Sequence, residues 1–141
     1  GAAAVVLASE QKVSELGLQP LAKIISYGTH AQAPEWFTTA PAEAMKQALS
    51  RADWKVEDVD CFEVNEAFAV VAMDAEKKLG IPRDKLNVLG GGISIGHPIG
   101  ASGARIVVTL LSALKDQSGK KGIAGICIGG GEATALCVER V

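Results

Sequence analysis

Three short stretches of this chain carry side chains with acid–base or nucleophilic chemistry. The first runs from Leu89 to Arg105, L-G-G-G-I-S-I-G-H-P-I-G-A-S-G-A-R, and sets His97, one of two histidines, inside a run of glycines. An imidazole can take a proton from a thiol or donate a hydrogen bond to a carbonyl oxygen near neutral pH. Pro98 restricts His97 to extended backbone, so the ring is aimed by a loop and not packed along a helix. The ordinary alternative is a histidine that only bonds loop backbone, and the residue pattern alone leaves both open. The second stretch, Cys61-Phe62-Glu63-Val64-Asn65-Glu66-Ala67-Phe68-Ala69, sets Asn65 and Glu66 where a strand runs into a helix. Asn65 there equally suits a helix cap, and a first-turn Glu66 suits the helix dipole. The third, Cys127-Ile128-Gly129-Gly130-Gly131-Glu132, puts a thiol before three glycines at a strand end. A substrate could approach it there, although most free cysteines are buried and inert, as Cys61 and Cys137 are expected to be.

These stretches need a scaffold, and the hydrophobic pattern supplies one. Residues 2–7 form an apolar, strand-like run, and Ser9 caps a helix over 10–16 that Gly17 ends. Residues 21–28 read as a strand, 29–39 as a loop with His30 on the surface. Pro41 opens a helix with Met45, Ala48, Leu49 and Ala52 at helical spacing. A strand over 61–64 leads to a helix over 66–79 with Phe68, Val71, Ala72, Ala75 and Leu79 facing inward, stopped by Gly80 and Pro82. A strand over 86–89 precedes the histidine loop and a helix over 101–115 follows it. Strands over 123–128 and 133–141 close the chain. The order predicts an α/β fold, a mostly parallel five-stranded mixed sheet between helix layers. Only a tight turn at 129–132 joins the last two strands, so the last must be antiparallel to its neighbour. All three chemical stretches then fall where strands stop, the edge at which open α/β sheets bind ligands.

Composition narrows the classes. A formal charge of −2 gives no electrostatic footprint for nucleic acid or an anionic membrane. No apolar run is long enough to span a bilayer. Hydrophobic residues reach 48% with only 4% aromatic, so the core is aliphatic. Three cysteines without metal-ligand spacing imply no metal site and point to a reducing compartment, the cytoplasm or an organellar matrix. The start, Gly-Ala-Ala-Ala-Val-Val-Leu-Ala, lacks a methionine and reads as the interior of a longer protein. Neither glycine-rich phosphate-loop pattern is present, and Ser94 and Ser102 lack a nucleophile-elbow setting.

N-E-A-F-A, then G-G-G-x-x-x-G-H-P-x-G-A-S-G-A-R, then C-x-G-G-G resemble, in order and spacing, the C-terminal half of thiolases. The resemblance implies an αβα half-domain over residues 18–141, with 1–17 a remnant of the preceding N-terminal domain. It implies that His97 activates a nucleophilic cysteine and donates to a thioester oxygen. Asn65 would hold a water that completes that oxyanion hole. Cys127 would be the acid/base at the acetyl carbon, and Gly129 would give its N–H to a second oxyanion hole. Phe68 and Ala67, and more weakly Phe37, would line the acyl channel. No cofactor is implied; the CoA thioesters acetyl-CoA and acetoacetyl-CoA, with CoA itself, are the substrates and products. The segment Trp36-Phe37-Thr38-Thr39-Ala40-Pro41 resembles acetoacetyl-CoA thiolases more than long-chain ones. The implied activity is therefore reversible Claisen condensation of two acetyl-CoA, with degradative 3-ketoacyl-CoA thiolysis as the alternative. A non-catalytic thiolase-like scaffold that binds acyl-CoA is a further one. The nucleophilic cysteine has no counterpart in these residues, so the chain alone is expected to be inactive. Its partner would be the N-terminal thiolase half, within a homodimer or homotetramer.

Overall fold

A computed structural model describes residues 1–141. Ser9 accepts from the Lys12 N–H and caps α1 (Glu10–Leu16), which Gly17 ends in a left-handed turn, as the sequence predicts. No residue of α1 is buried, and residues 2–7 form no strand. The apolar run Val5–Leu7 finds no partner strand here.

The sheet comprises β1 (Ala22–Ala31), β2 (Cys61–Val64), β3 (Lys121–Ile128) and β4 (Glu132–Arg140), in the order β1-β4-β3-β2. It has four strands, not five. The expected strand over 86–89 shrinks to a single parallel bridge between Leu86 and Phe62. Asn87 is the reason. Its backbone turns to a φ of 48°, and its side-chain amide accepts from Val64 N at 2.8 Å and donates to Val64 O at 2.9 Å. A side chain thus satisfies the edge of β2 where another strand would otherwise pair. The tight turn makes β4 antiparallel to β3, as expected. Because β4 is inserted between β1 and β3, it is antiparallel to both, and only β2 and β3 pair in parallel. Most strands run one way, yet most pairings are antiparallel, which corrects the mostly parallel expectation.

Helix α2 (Ala40–Ala52) lies across β1, β4 and β3 on one face and packs on α3 (Ala69–Leu79). Close approach is allowed by Gly28 in β1: a Cβ there would collide with the Ala44 carbonyl oxygen. The larger core lies on this side, around Met45, Leu49, Phe62, Val64, Val71 and Ile123. Helix α5 (Ile99–Asp116) covers β2 and β3 on the other face and builds a second core with Ile106, Leu110, Leu114, Cys61, Ala124 and Val138. Cys61 and Cys137 are buried, as expected, and all three cysteines are free. His30 sits half-buried in β1 and not in a loop, its Nε2 3.0 Å from Gln32 Oε1.

Candidate active site

The Asn65 stretch is shaped by where its polar groups go. Asn65 N donates to Gly125 O at 2.9 Å and lengthens the β2–β3 ladder by one rung. Asn65 itself is fully buried. It does not cap a helix: α3 begins at Ala69, with Phe68 at the N-cap. Glu66 is not in the helix either. Its carboxylate accepts from the Ile93 N–H at 3.0 Å and from the Asn87 amide at 3.0 Å. Glu66 therefore fastens the strand end to the glycine run, through the short helix α4 (Gly92–Ile95). Glycine leaves room for that carboxylate, since a Cβ on Gly91 would stand 2.7 Å from Glu66 Oε2 and push it aside.

This docking carries His97 to Asn65. His97 Nε2 lies 3.4 Å from Asn65 Nδ2, and Nδ1 lies 2.6 Å from Ser102 Oγ on α5. The hydrogens follow from the neighbours. Arg105 Nη2 lies 3.5 Å from Asn65 Oδ1. A guanidinium only donates, so Asn65 must turn its oxygen to Arg105 and its N–H2 to the imidazole. Ser102 donates to Pro98 O at 3.1 Å and so accepts from His97. The neutral ring then carries its proton on Nδ1 and presents a lone pair at Nε2. Such a ring is oriented to take a proton at Nε2 and afterwards to donate from it.

Cys127 lies near the end of β3, two residues beyond the carbonyl that receives Asn65 N. It is half-buried on the α2 side, packed against the larger core. Burial pushes its thiol above the ordinary range, against a smaller pull from its own backbone N–H. It is a protonated thiol at neutral pH, a proton donor and not a resting thiolate. The two side-chain bonds of His97 go to Asn65 and Ser102, and neither reaches Cys127. Gly129 opens the exposed turn after β3, with open space where a Cβ would stand, and its N–H donates to no backbone carbonyl. Phe68 meets Phe37 edge to face, centroids 6.2 Å apart. Phe68 is 59% exposed and does not face the core, a correction to the inward face expected for it; Ala67 beside it is half-buried. No group of histidines, cysteines and carboxylates is arranged to hold a metal.

Sequence reading missed Glu63, Ser102 and Arg105. Glu63 points toward α5, 1% exposed, with Arg105 Nη1 at 3.6 Å. Burial raises its carboxyl to about 8, with Arg105 pulling the other way. Ser102 carried a legible signal: it falls on the stripe with Ile106, Leu110 and Ala113 that α5 buries, where a hydroxyl needs a partner.

The layered α/β domain thus brings an imidazole and an amide together beside the ends of parallel strands, the edge at which open α/β sheets bind ligands. The chain belongs to the thiolase family: the family model described as thiolase, C-terminal domain, matches residues 18–140. It is 55% identical to acetyl-CoA acetyltransferase 2 of Arabidopsis thaliana over 139 residues, 99% of this chain and 34% of that protein. It superposes on the crystal structure of the Bacillus anthracis acetyl-CoA acetyltransferase with a TM-score of 0.91 and 46% identity, over 94% of this chain and 34% of that one. Human mitochondrial 3-ketoacyl-CoA thiolase gives a TM-score of 0.92 and 37% identity, over 95% of this chain and 34% of its own. The chain thus spans about a third of the length of the relatives it matches.

Proposed function

We propose that this chain is the C-terminal catalytic half of an acetyl-CoA acetyltransferase, an acyltransferase that condenses two acetyl-CoA to acetoacetyl-CoA and CoA, reversibly. Residues 18–141 form its C-terminal domain and 1–17 belong to the domain before. The observation that carries the reading is the meeting of His97 and Asn65 at 3.4 Å, from motifs 32 residues apart. In a protein of this kind a cysteine of the N-terminal half attacks the first thioester, and His97 Nε2 takes its proton. Once the acyl group has transferred, Cys127 gives its thiol proton to the freed CoA thiolate. The Cys127 thiolate so formed removes a proton from the methyl carbon of the second acetyl-CoA, the carbanion attacks the acyl-enzyme, and His97 returns its proton to the released nucleophilic cysteine. His97, once protonated, and Asn65 donate to one thioester oxygen, Asn65 through a water. The free N–H of Gly129 donates to the other oxygen. A single preorganised donor of this type is typically worth about 3–4 kcal/mol. Phe68, Ala67 and Phe37 flank the acyl group. The reaction needs no metal or cofactor besides the CoA thioesters.

The test is acetoacetyl-CoA thiolysis by the complete enzyme beside its His97→Ala variant. An active parent and a variant reduced by orders of magnitude support the reading; an inactive parent leaves a thiolase-like scaffold. The isolated chain, without the nucleophilic cysteine, is expected to be inactive. The similarity to 3-ketoacyl-CoA thiolase sustains a second reading, degradative thiolysis of longer 3-ketoacyl-CoA. Relative rates on acetoacetyl-CoA and a long 3-ketoacyl-CoA separate the two. No helix is long and apolar enough to cross a membrane. The compartment we favour is the cytoplasm or an organellar matrix, and the assembly a homodimer or homotetramer.

A further inference from the structure

Under the α5 face of the sheet, the buried Glu63 and Asn65 and the half-buried Arg105 sit in a line that the reaction steps above do not use in full. Glu63 projects from β2 and Arg105 from α5, with Nη1 of Arg105 3.6 Å from Glu63 Oε2 and Nη2 3.5 Å from Asn65 Oδ1. Arg105 is 14% exposed and Glu63 1%. Nη1 also lies 3.3 Å from Thr109 Oγ1, one turn further along α5. Neither Glu63 oxygen has a hydrogen-bond partner, and Arg105 Nε has none. A pair so incompletely bonded contributes little to stability for the desolvation it costs. Its geometry has another use. An asparagine amide is nearly symmetric in shape, and the lone pair at His97 Nε2 that selects its nitrogen in the resting site is consumed when that ring takes a proton. The guanidinium, a pure donor, makes that distinction.

We propose that Arg105, bonded to Thr109 Oγ1 and lying beside Glu63, is a positioning residue that fixes the orientation of the Asn65 amide, so that its N–H2 faces His97 and the water through which it meets the thioester oxygen. Without it the amide is free to flip, and an acceptor then points where a donor is needed as negative charge develops. The assignment rests on the thiolase reading of Asn65. It places no substrate contact on Arg105. The planar fork of the guanidinium reaches Thr109 Oγ1 and Asn65 Oδ1 from two separate nitrogens, which a lysine ammonium cannot reproduce.

The experiment is a double-mutant cycle in the complete enzyme, read by steady-state acetoacetyl-CoA thiolysis. Arg105→Met is expected to lower kcat by about tenfold, in line with small misplacements of catalytic groups, with KM within about twofold. Asn65→Ala lowers kcat at least as far, and Arg105→Met added to Asn65→Ala lowers it no further. Arg105→Lys keeps the charge and does not restore kcat. Should Arg105→Met alone unfold the protein, Glu63→Met with Arg105→Met removes both polar groups at similar volume, and the same cycle is run on that background. Multiplying losses in the combined variant, or full kcat in Arg105→Met or Arg105→Lys, overturn the inference and leave the thiolase reading intact. A parent that cleaves no acetoacetyl-CoA overturns both.

Discussion

The two faces of the sheet are built to different rules. On the α2 side, Met45, Ala48, Leu49, Phe62, Val64 and Ile123 close into one apolar cluster, joined by α3 through Val71 and Ala75. On the α5 side, a smaller apolar cluster stops short of the strand ends. Glu63, Asn65, Ser102 and Arg105 fill the remaining space and lead to His97. Residues alternate between faces along β2, so Phe62 and Val64 serve the first cluster while Glu63 and Asn65 face α5. The strand β2 and Asn65 just beyond it therefore divide their side chains between the apolar core and the polar cluster beside His97. Losses on the apolar side should appear as stability, and losses on the polar side as rate.

The largest effect that would test this division is at His97. His97→Ala in the complete enzyme is expected to reduce thiolysis by about 10⁴-fold, since one ring serves as base and as oxyanion donor. Its melting temperature should stay close to that of the parent, and a large drop would break the division. Cys127→Ala should lower turnover by roughly 10³-fold and leave acylation of the nucleophilic cysteine by acetyl-CoA intact. Intact-protein mass spectrometry would then show the acyl-enzyme accumulating. An unmodified variant would mean that Cys127 acts before the first transfer. On the other face, Phe62→Ala should cost about 3–5 kcal/mol in denaturant unfolding, with an unchanged KM for the fraction that remains folded.

A pH experiment sharpens the comparison within β2. Burial holds the folded carboxyl of Glu63 near 8 against an ordinary 4.5. Between those values the unfolded chain has released the proton and the folded chain retains it. The slope of unfolding free energy with pH from this group is then negative. Its contribution is intact below about pH 4.5, declines as pH rises, and levels off above about 8. Glu63→Met should remove this decline, so the parent's unfolding free energy should fall relative to the variant's as pH rises from 5 to 8. Parallel curves would mean that Glu63 is ionised in the fold. The smallest effect is expected for Glu66→Gln, which keeps an acceptor for one of its two donors and should cost about 1 kcal/mol. Its mark would be faster amide exchange at Ile93, whose N–H it holds.

Much of this was legible in the residues, and the exceptions share a cause. The Ser9 cap, the Gly17 stop and the antiparallel final strand follow from local rules, which need no knowledge of distant partners. The strand over 86–89 and the helix start at Glu66 failed because side chains replaced backbone. Asn87 supplies the edge pairing of β2, and Glu66 spends its carboxylate on the glycine run instead of a helix turn. The motifs that resemble thiolases made His97, Asn65, Cys127 and Gly129 legible as candidates. The contact between His97 and Asn65 was not, because it depends on the docking of α4 against Glu66. Phe68 is hydrophobic and stands at helical spacing with Val71 and Ala72, yet it lies at the N-cap, where the chain has not begun to turn with the helix. Arg105 gave no signal in one dimension, since its partners belong to a strand 40 residues away.

The outer edge of β1 has a practical consequence. That strand runs for ten residues at the margin of the sheet, with Ile24, Ile25 and Tyr27 exposed and Lys23 and His30 its only ionisable side chains besides Tyr27. A long apolar margin with unpaired backbone groups is a template for another strand. Anyone producing this domain by itself at high concentration should expect sticky material, inclusion bodies or soluble clusters. A single charge introduced at Ile24 is the first remedy to try at the bench.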